Sequence, residues 1–173
     1  NPAVSVGYSR GGSTVLHTVG ISDMKITRDP RDVLVTYSLG SCIGVAMYDP
    51  EACIGCMIHC MLPTAKIDAN RAAVNPYMFT DVGVPEMLQQ MLNMGAQKRR
   101  IIAKVAGAAR LLDDENTFRI GERNQVILRK ILWKNNILIA AEDTGSNIAR
   151  TLYLYMDTGR VMIKSGGREY ELK

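Results

Sequence analysis

Four cysteines and two histidines carry the groups best suited to act as nucleophile, base or soft metal ligand: Cys42, Cys53, Cys56, Cys60, His17 and His59. Three of the cysteines and one histidine fall in a single short run, "CIGCMIHC" (53–60). Thiolate and imidazole are soft ligands, so a zinc or iron–sulfur centre is one chemistry such a run suggests. Cys42 stands apart in "YSLGSCIGVAMYDP" (37–50), among the small residues Gly40, Ser41 and Gly44. A core cysteine packs against bulky neighbours, whereas a reactive one needs room for a substrate, so nucleophilic catalysis is the second chemistry.

Deciding between them requires the elements that hold these residues. "DVLVTYSL" (32–39), rich in β-branched and aromatic residues, predicts a strand; "IGVAMY" (43–48) predicts a second. Asp49-Pro50 opens a turn, and "IGCMIHCML" (54–62) is a third strand stopped by Pro63, so 43–62 is a hairpin. Side chains alternate along a strand, so Cys56, Ile58, Cys60 and Leu62 face one way and Gly55, Met57, His59 and Met61 the other. His59 therefore cannot share a metal with Cys56 and Cys60. A closed site would also need a second ligand pair, and only Cys42 and His17 remain. No metal and no cofactor are expected, and Cys56 and Cys60 read as small core residues.

His59 is then alone on its face. One reading is a core histidine bonded to a neighbouring carbonyl. The other follows from the hairpin, which returns 54–62 alongside 43–48 and makes Cys42 and His59 neighbours in space. An imidazole is the usual partner that activates a thiol, and a third group commonly orients the ring. Thr36, upstream on the first strand, has a hydroxyl suited to that task.

Further along, Met87, Leu88, Met91 and Leu92 recur at helical spacing, with Pro85 in a first turn and Gly95 at the end, which predicts a helix over about 84–94. A strand is expected over 100–109 and an amphipathic helix over 122–135. Strands follow at 137–143, 149–156 and 160–164, the last two joined by "DTG", where Gly159 supplies positive φ. The pattern is α/β: one domain with two main helices against a mostly antiparallel, mixed sheet. Ser, Gly and Thr dominate 5–18, so residues 1–18 are expected to be a mobile arm and 19–173 the domain.

The chain has 173 residues, 47% hydrophobic and 22% charged, with a net charge of +4, an ordinary globular balance. The basic runs, "KRR" at 98–100 and Arg129/Lys130/Lys134, read as solvated faces. With no glycine-aromatic RNA-binding motif, no nucleic-acid partner is expected. No apolar run of membrane-spanning length occurs, and the first residues lack the pattern of a signal peptide, so a cytoplasmic protein with reduced thiols is expected.

"VLVTYSLGSCIGVAMYDP" followed by "GCMIHCMLP" resembles the signature of the CheD family of chemoreceptor glutamine deamidases. "GERN" (121–124), "AEDTGSNIARTLYL" (141–154) and "DTGRVMIK" (157–164) resemble its later blocks, so the likeness spans about 19–165. It implies an α/β/β sandwich carrying a cysteine hydrolase, with Cys42 as nucleophile, His59 as base and acid, and Thr36 as the third member. Ammonia would leave from a receptor glutamine, and water would then hydrolyse a thioester on Cys42. Backbone N–H groups of Gly40, Ser41 and Cys42 are the expected oxyanion donors, and the small side chains of Gly40, Ser41 and Gly44 are expected to admit a bulky helical substrate. The implied partners are methyl-accepting receptors and a phosphatase, CheC. Two other readings remain: a receptor-glutamate methylesterase using the same dyad, and a non-catalytic module that binds receptor or CheC. Ala108 in "KVAGAARLL", where the family commonly has a second glycine, and Cys53, Cys56 and Cys60 depart from the family pattern.

Overall fold

In a computed structural model, which describes residues 13–111 and 115–173, the chain forms two five-stranded sheets stacked face to face with helices on one outer face. The first sheet runs β1 (Val15–Thr18), β3 (Asp32–Leu39), β8 (Arg150–Tyr155), β9 (Arg160–Ser165) and β10 (Arg168–Glu171). The second runs β2 (Met24–Thr27), β5 (Ile54–Cys60), β4 (Ile43–Asp49), β6 (Ile102–Gly107) and β7 (Ile139–Thr144). Each is mixed: β1 with β3 and β6 with β7 are parallel, the other pairs antiparallel. Helices α1 (Ala69–Val74), α2 (Thr80–Asn93) and α3 (Glu115–Lys134) complete the described elements. The α/β/β sandwich expected from the sequence is therefore present.

Two apolar layers flank the second sheet, and a smaller cluster of Val33, Val35, Tyr153 and Tyr155 covers the outer face of the first. Val45, Met47, Cys56, Ile58 and Cys60 pack against Val84, Met87 and Met91 of α2 and Leu128 and Leu132 of α3. On the other side, Ala46 and Met57 pack against Leu34, Leu152, Leu154 and Ile163 of the first sheet. β4 and β5 are thus buried on both faces, which explains why their sequences are apolar almost throughout. The alternation expected along 54–60 holds: Cys56 and Cys60 face the helices and Met57 faces the opposing sheet.

Several expectations need correction. The helix expected from about 84 begins at Thr80, with Pro85 inside it. The missing N–H of Pro85 costs only the bond to the Asp81 carbonyl. The earlier start is fixed by tertiary contacts, because the N–H groups of Thr80 and Asp81 donate to the carbonyls of Leu62 (2.8 Å) and Pro63 (3.1 Å). The helix expected at 122 begins at Glu115, over a stretch too polar to show an apolar stripe. Of the arm expected over 1–18, residues 1–12 lie outside the described residues, but Val15–Thr18 is a strand paired with Asp32–Val35. β2, β10 and α1 were not anticipated; each is short and its pattern weak.

The turns follow their residues. Asp49, fully buried, accepts through Oδ1 from the N–H groups of Glu51 and Ala52, and through Oδ2 from Gln97 N–H and Arg100 Nε. Burial pushes its pKa up, but those bonds outweigh it and hold the carboxyl below its usual value. Arg100, the last residue of "KRR", is accordingly a structural partner rather than part of a solvated face. Gly159 sits at φ +78°, and a side chain there would meet the Tyr48 ring at 2.2 Å.

Gly83, within α2, lets the helix lie against the preceding turn: an added Cβ would stand 2.8 Å from the Pro76 carbonyl oxygen and 3.0 Å from Tyr77 Cα. Helix propensity alone favours alanine by about 1 kcal/mol. Both contacts are with backbone, so Gly83→Ala is expected to destabilise by about 1–2 kcal/mol, read as a lower urea midpoint at unchanged slope. A raised midpoint would mean that the turn yields freely.

Candidate active site

β3 and β4 lie in different sheets, so the chain must cross between layers in the few residues that separate them. A bulge between Thr36 and Leu39 and a left-handed Ser38 (φ +55°) turn it out of the first sheet, and Gly40–Ser41–Cys42 carries it into the second. Thr36 therefore lies on one sheet and Cys42 at the entry of the other.

His59 is directly opposite Gly44 across the β4–β5 ladder. Along β4, Ala46 and Tyr48 share Gly44's face toward the first sheet. Cys42, two residues before Gly44 and just ahead of the β4–β5 ladder, packs into the same layer. His59 in turn reaches across to the first sheet, with Nδ1 2.6 Å from Thr36 Oγ1. Thr36 Oγ1 also lies 2.8 Å from the Val19 carbonyl, to which it donates. A hydroxyl has one proton, so at the imidazole Thr36 accepts, which puts the ring proton on Nδ1 and leaves Nε2 with a bare lone pair. Nε2 is buried and has no hydrogen-bond partner. The histidine's own backbone is fixed as well: its N–H donates to Asp23 O and its carbonyl accepts from Ser22 N–H.

Electrostatics favour neutral groups here. Burial lowers the His59 pKa from 6.5 to about 4. Burial also raises the half-buried Cys42 thiol above its ordinary value, against a smaller lowering by its own peptide N–H. The resting pair is thus thiol and neutral imidazole rather than thiolate and imidazolium. Such a pair still supports nucleophilic attack, because His59 Nε2 is free to take the proton as sulfur bonds to carbon. Burial pushes the Cys56 and Cys60 thiols far higher, and Cys53 is exposed on a turn.

The loop carrying Cys42 is held by a strap running from the end of β6. Ala109 N–H donates to the Gly40 carbonyl (2.7 Å) and Ala108 N–H to the Cys42 carbonyl (2.8 Å). Gly107 makes this possible: at φ +112°, an added Cβ would stand 2.3 Å from the Cys42 oxygen. Ala108 follows at φ +52°, a conformation easier for glycine than for alanine. Between those two bonds, Asn124 Nδ2 of α3 donates to the Ser41 carbonyl (3.1 Å) and also to that of Met61 (3.2 Å). Buried Arg150 braces the strap, donating to the carbonyls of Gly145, Gly107 and Ile148 and pairing with Asp143, which also bonds the Tyr170 hydroxyl.

Of the expected residues, His59 and Thr36 are in contact and Cys42 shares their face. Two of the small residues expected to clear a path for substrate have close side-chain neighbours. A Cβ at Gly44 would meet Leu39 at 2.8 Å and Leu152 at 3.2 Å, and one at Gly40 would meet Leu111 at 2.9 Å. Those glycines make room for the protein's own leucines. Asn124 and Arg150 were not singled out, although both lie in blocks, "GERN" and "AEDTGSNIAR", quoted for their resemblance.

The sandwich and this cluster define an α/β protein that sets a cysteine and a neutral, hydroxyl-bonded histidine in the layer between its two sheets. A family model described as CheD chemotactic sensory transduction matches residues 61–165. A relative from Syntrophus aciditrophicus, named probable chemoreceptor glutamine deamidase CheD 1, is 50% identical over 149 residues, covering 86% of this chain and 93% of its own. A relative from Solibacter usitatus, named probable chemoreceptor glutamine deamidase CheD, is 47% identical over 154 residues, covering 89% and 91%. The chain belongs to the CheD family. Because the family model's match begins after His59, that model supports membership independently of Thr36, Cys42 and His59.

The low His59 pKa has a consequence for stability. Folding keeps His59 neutral, so its contribution is complete above about pH 6.5 and is lost as pH falls toward 4. The full difference corresponds to about 3 kcal/mol. Between pH 7.5 and 4, wild type should lose about that much more unfolding free energy than His59→Asn, whose amide retains a donor for Thr36 but does not titrate. Equal losses in urea titrations at the two pH values would show that His59 is not held neutral.

Proposed function

We propose that this protein deamidates glutamine side chains of chemoreceptors, converting them to glutamate with release of ammonia through a thioester on Cys42. The observation that carries the reading is the buried imidazole whose Nδ1 is tied to Thr36 and whose Nε2 is unpartnered on the face shared with Cys42. The names of the relatives supply the substrate.

The reaction begins with neutral groups. Cys42 Sγ attacks the carboxamide carbon while its proton passes to His59 Nε2, and the carbonyl oxygen becomes an oxyanion bound by the N–H groups of Ser41 and Cys42. As the intermediate collapses, imidazolium gives the proton to nitrogen and ammonia departs, leaving the thioester. Water then attacks, its proton going to Nε2. The second collapse expels sulfur, which recovers that proton, and the net change is amide plus water to acid plus ammonia. Thr36 holds the ring in the tautomer that both half-reactions need.

On this reading the substrate is the cytoplasmic part of a receptor, the enzyme works in the cytoplasm, and a CheC phosphatase competes with receptor for it. Among the described residues no helix is long and apolar enough to cross a membrane. The glutamate formed adds negative charge to a receptor helix and shifts its like-charge balance.

Incubation with a receptor cytoplasmic fragment should release ammonia, with none released by Cys42→Ala. Methanol in place of ammonia would assign an esterase, and binding without either product a non-catalytic module. Thr36→Val removes the Nδ1–H acceptor and is expected to lower kcat about 10–100-fold with KM little changed. An unaffected kcat would deny Thr36 its orienting role.

A further inference from the structure

The three consecutive carbonyls of Gly40, Ser41 and Cys42 each accept a hydrogen bond from outside their loop: from Ala109 N–H, Asn124 Nδ2 and Ala108 N–H. In a trans peptide the C=O and the N–H of the same unit point in opposite directions. Holding the Gly40 carbonyl on Ala109 therefore turns Ser41 N–H to the other side. Holding the Ser41 carbonyl on Asn124 likewise turns Cys42 N–H away from Asn124. Backbone N–H groups turned out of a tight loop can serve an anion, and a hydrogen bond at a unit's carbonyl strengthens its N–H as a donor.

Two of the three anchors are backbone; Asn124 is the one side chain among the described residues that bonds these carbonyls. It is fully buried, and its amide is committed at every side. Nδ2 donates to Ser41 O and Met61 O, and Oδ1 accepts from Thr80 Oγ1 at 3.0 Å. With two carbonyls as partners, that position must be the nitrogen. The Met61 bond matters equally, because Met61 follows His59 by two residues. One amide therefore ties the peptide before the nucleophile to the strand end beyond the base.

We infer that Asn124 is a positioning residue that aims the Cys42 N–H at the oxyanion and fixes the nucleophile loop against the histidine strand. The inference rests on the deamidase reading above and adds to it a residue that never touches substrate.

Asn124→Asp keeps the shape but sets a carboxylate oxygen against two carbonyls. It is expected to lower kcat for ammonia release about 10–100-fold, the scale of a displaced oxyanion donor. KM should stay within about twofold of wild type. Alkylation of Cys42 by iodoacetamide, a displacement that forms no oxyanion, should proceed at nearly the wild-type rate. The variant should also recover kcat as pH falls, since a protonated carboxyl can donate to Ser41 O. Unchanged kcat in folded Asn124→Asp overturns the inference, as does a parallel fall of kcat, alkylation and Tm without acid recovery. If Asn124→Asp does not fold, Thr80→Val carries the test by releasing Oδ1: reduced kcat at unchanged alkylation supports the inference, and unchanged kcat overturns it. A wild type that releases no ammonia would instead overturn the deamidase reading itself.

Discussion

The Thr36 hydroxyl has a single proton, and the Val19 carbonyl takes it. Thr36 can then only accept at His59 Nδ1, which decides the tautomer of a ring buried between two sheets. The rest of the site follows from that commitment. Nε2 keeps a buried, unpartnered lone pair, and no carboxylate is needed to orient the ring. A carboxylate would favour imidazolium, whereas a neutral hydroxyl leaves burial to dominate and keeps the ring uncharged. The arrangement suits a base that must be empty when the thiol arrives.

The scaffold around this bond is tight wherever layers change. The chain passes from one sheet to the other over the few residues that carry Cys42, and glycines at 44, 107 and 121 permit close approaches there. At Gly121 an added Cβ would stand 3.1 Å from the backbone of Ala108, so helix α3 bears directly on the strap that holds Cys42. Asn124, one turn further along α3, uses that closeness to reach into the loop. Packing and orientation are here one problem, because the side chain that fixes the loop depends on a glycine that admits its helix.

Much of this was legible in the residues, and the part that was not has a common cause. Strand parity has a period of two and leaves no ambiguity, so it separated His59 from Cys56 and Cys60 and put His59 and Cys42 at one end of a hairpin. That β4 and β5 are neighbours followed from the same hairpin. Main-chain partners were invisible: nothing in the type of Val19 says that its carbonyl would take Thr36's proton. Asn124 lies in a helix read only by its apolar spacing, so a polar residue facing inward escaped notice. The surroundings of the small residues near Cys42 were equally invisible, because sequence shows missing bulk but not its neighbours, here Leu39, Leu152 and Leu111. Short β1, β2 and β10 exist through pairing rather than propensity.

β4 and β5, which carry Gly44 and His59, are buried along their whole length and take part in both apolar layers that flank their sheet. Opening the strand that holds His59 would have to breach both layers together, so the histidine side of the site is tied to the core rather than to a loop that fluctuates independently. An enzyme built this way has little freedom to reshape itself around a partner. On the proposed reading, the adjustment falls to the receptor: its helix must present the glutamine already turned outward, or loosen locally to do so, and the ease of that local distortion becomes a selector among otherwise similar glutamines.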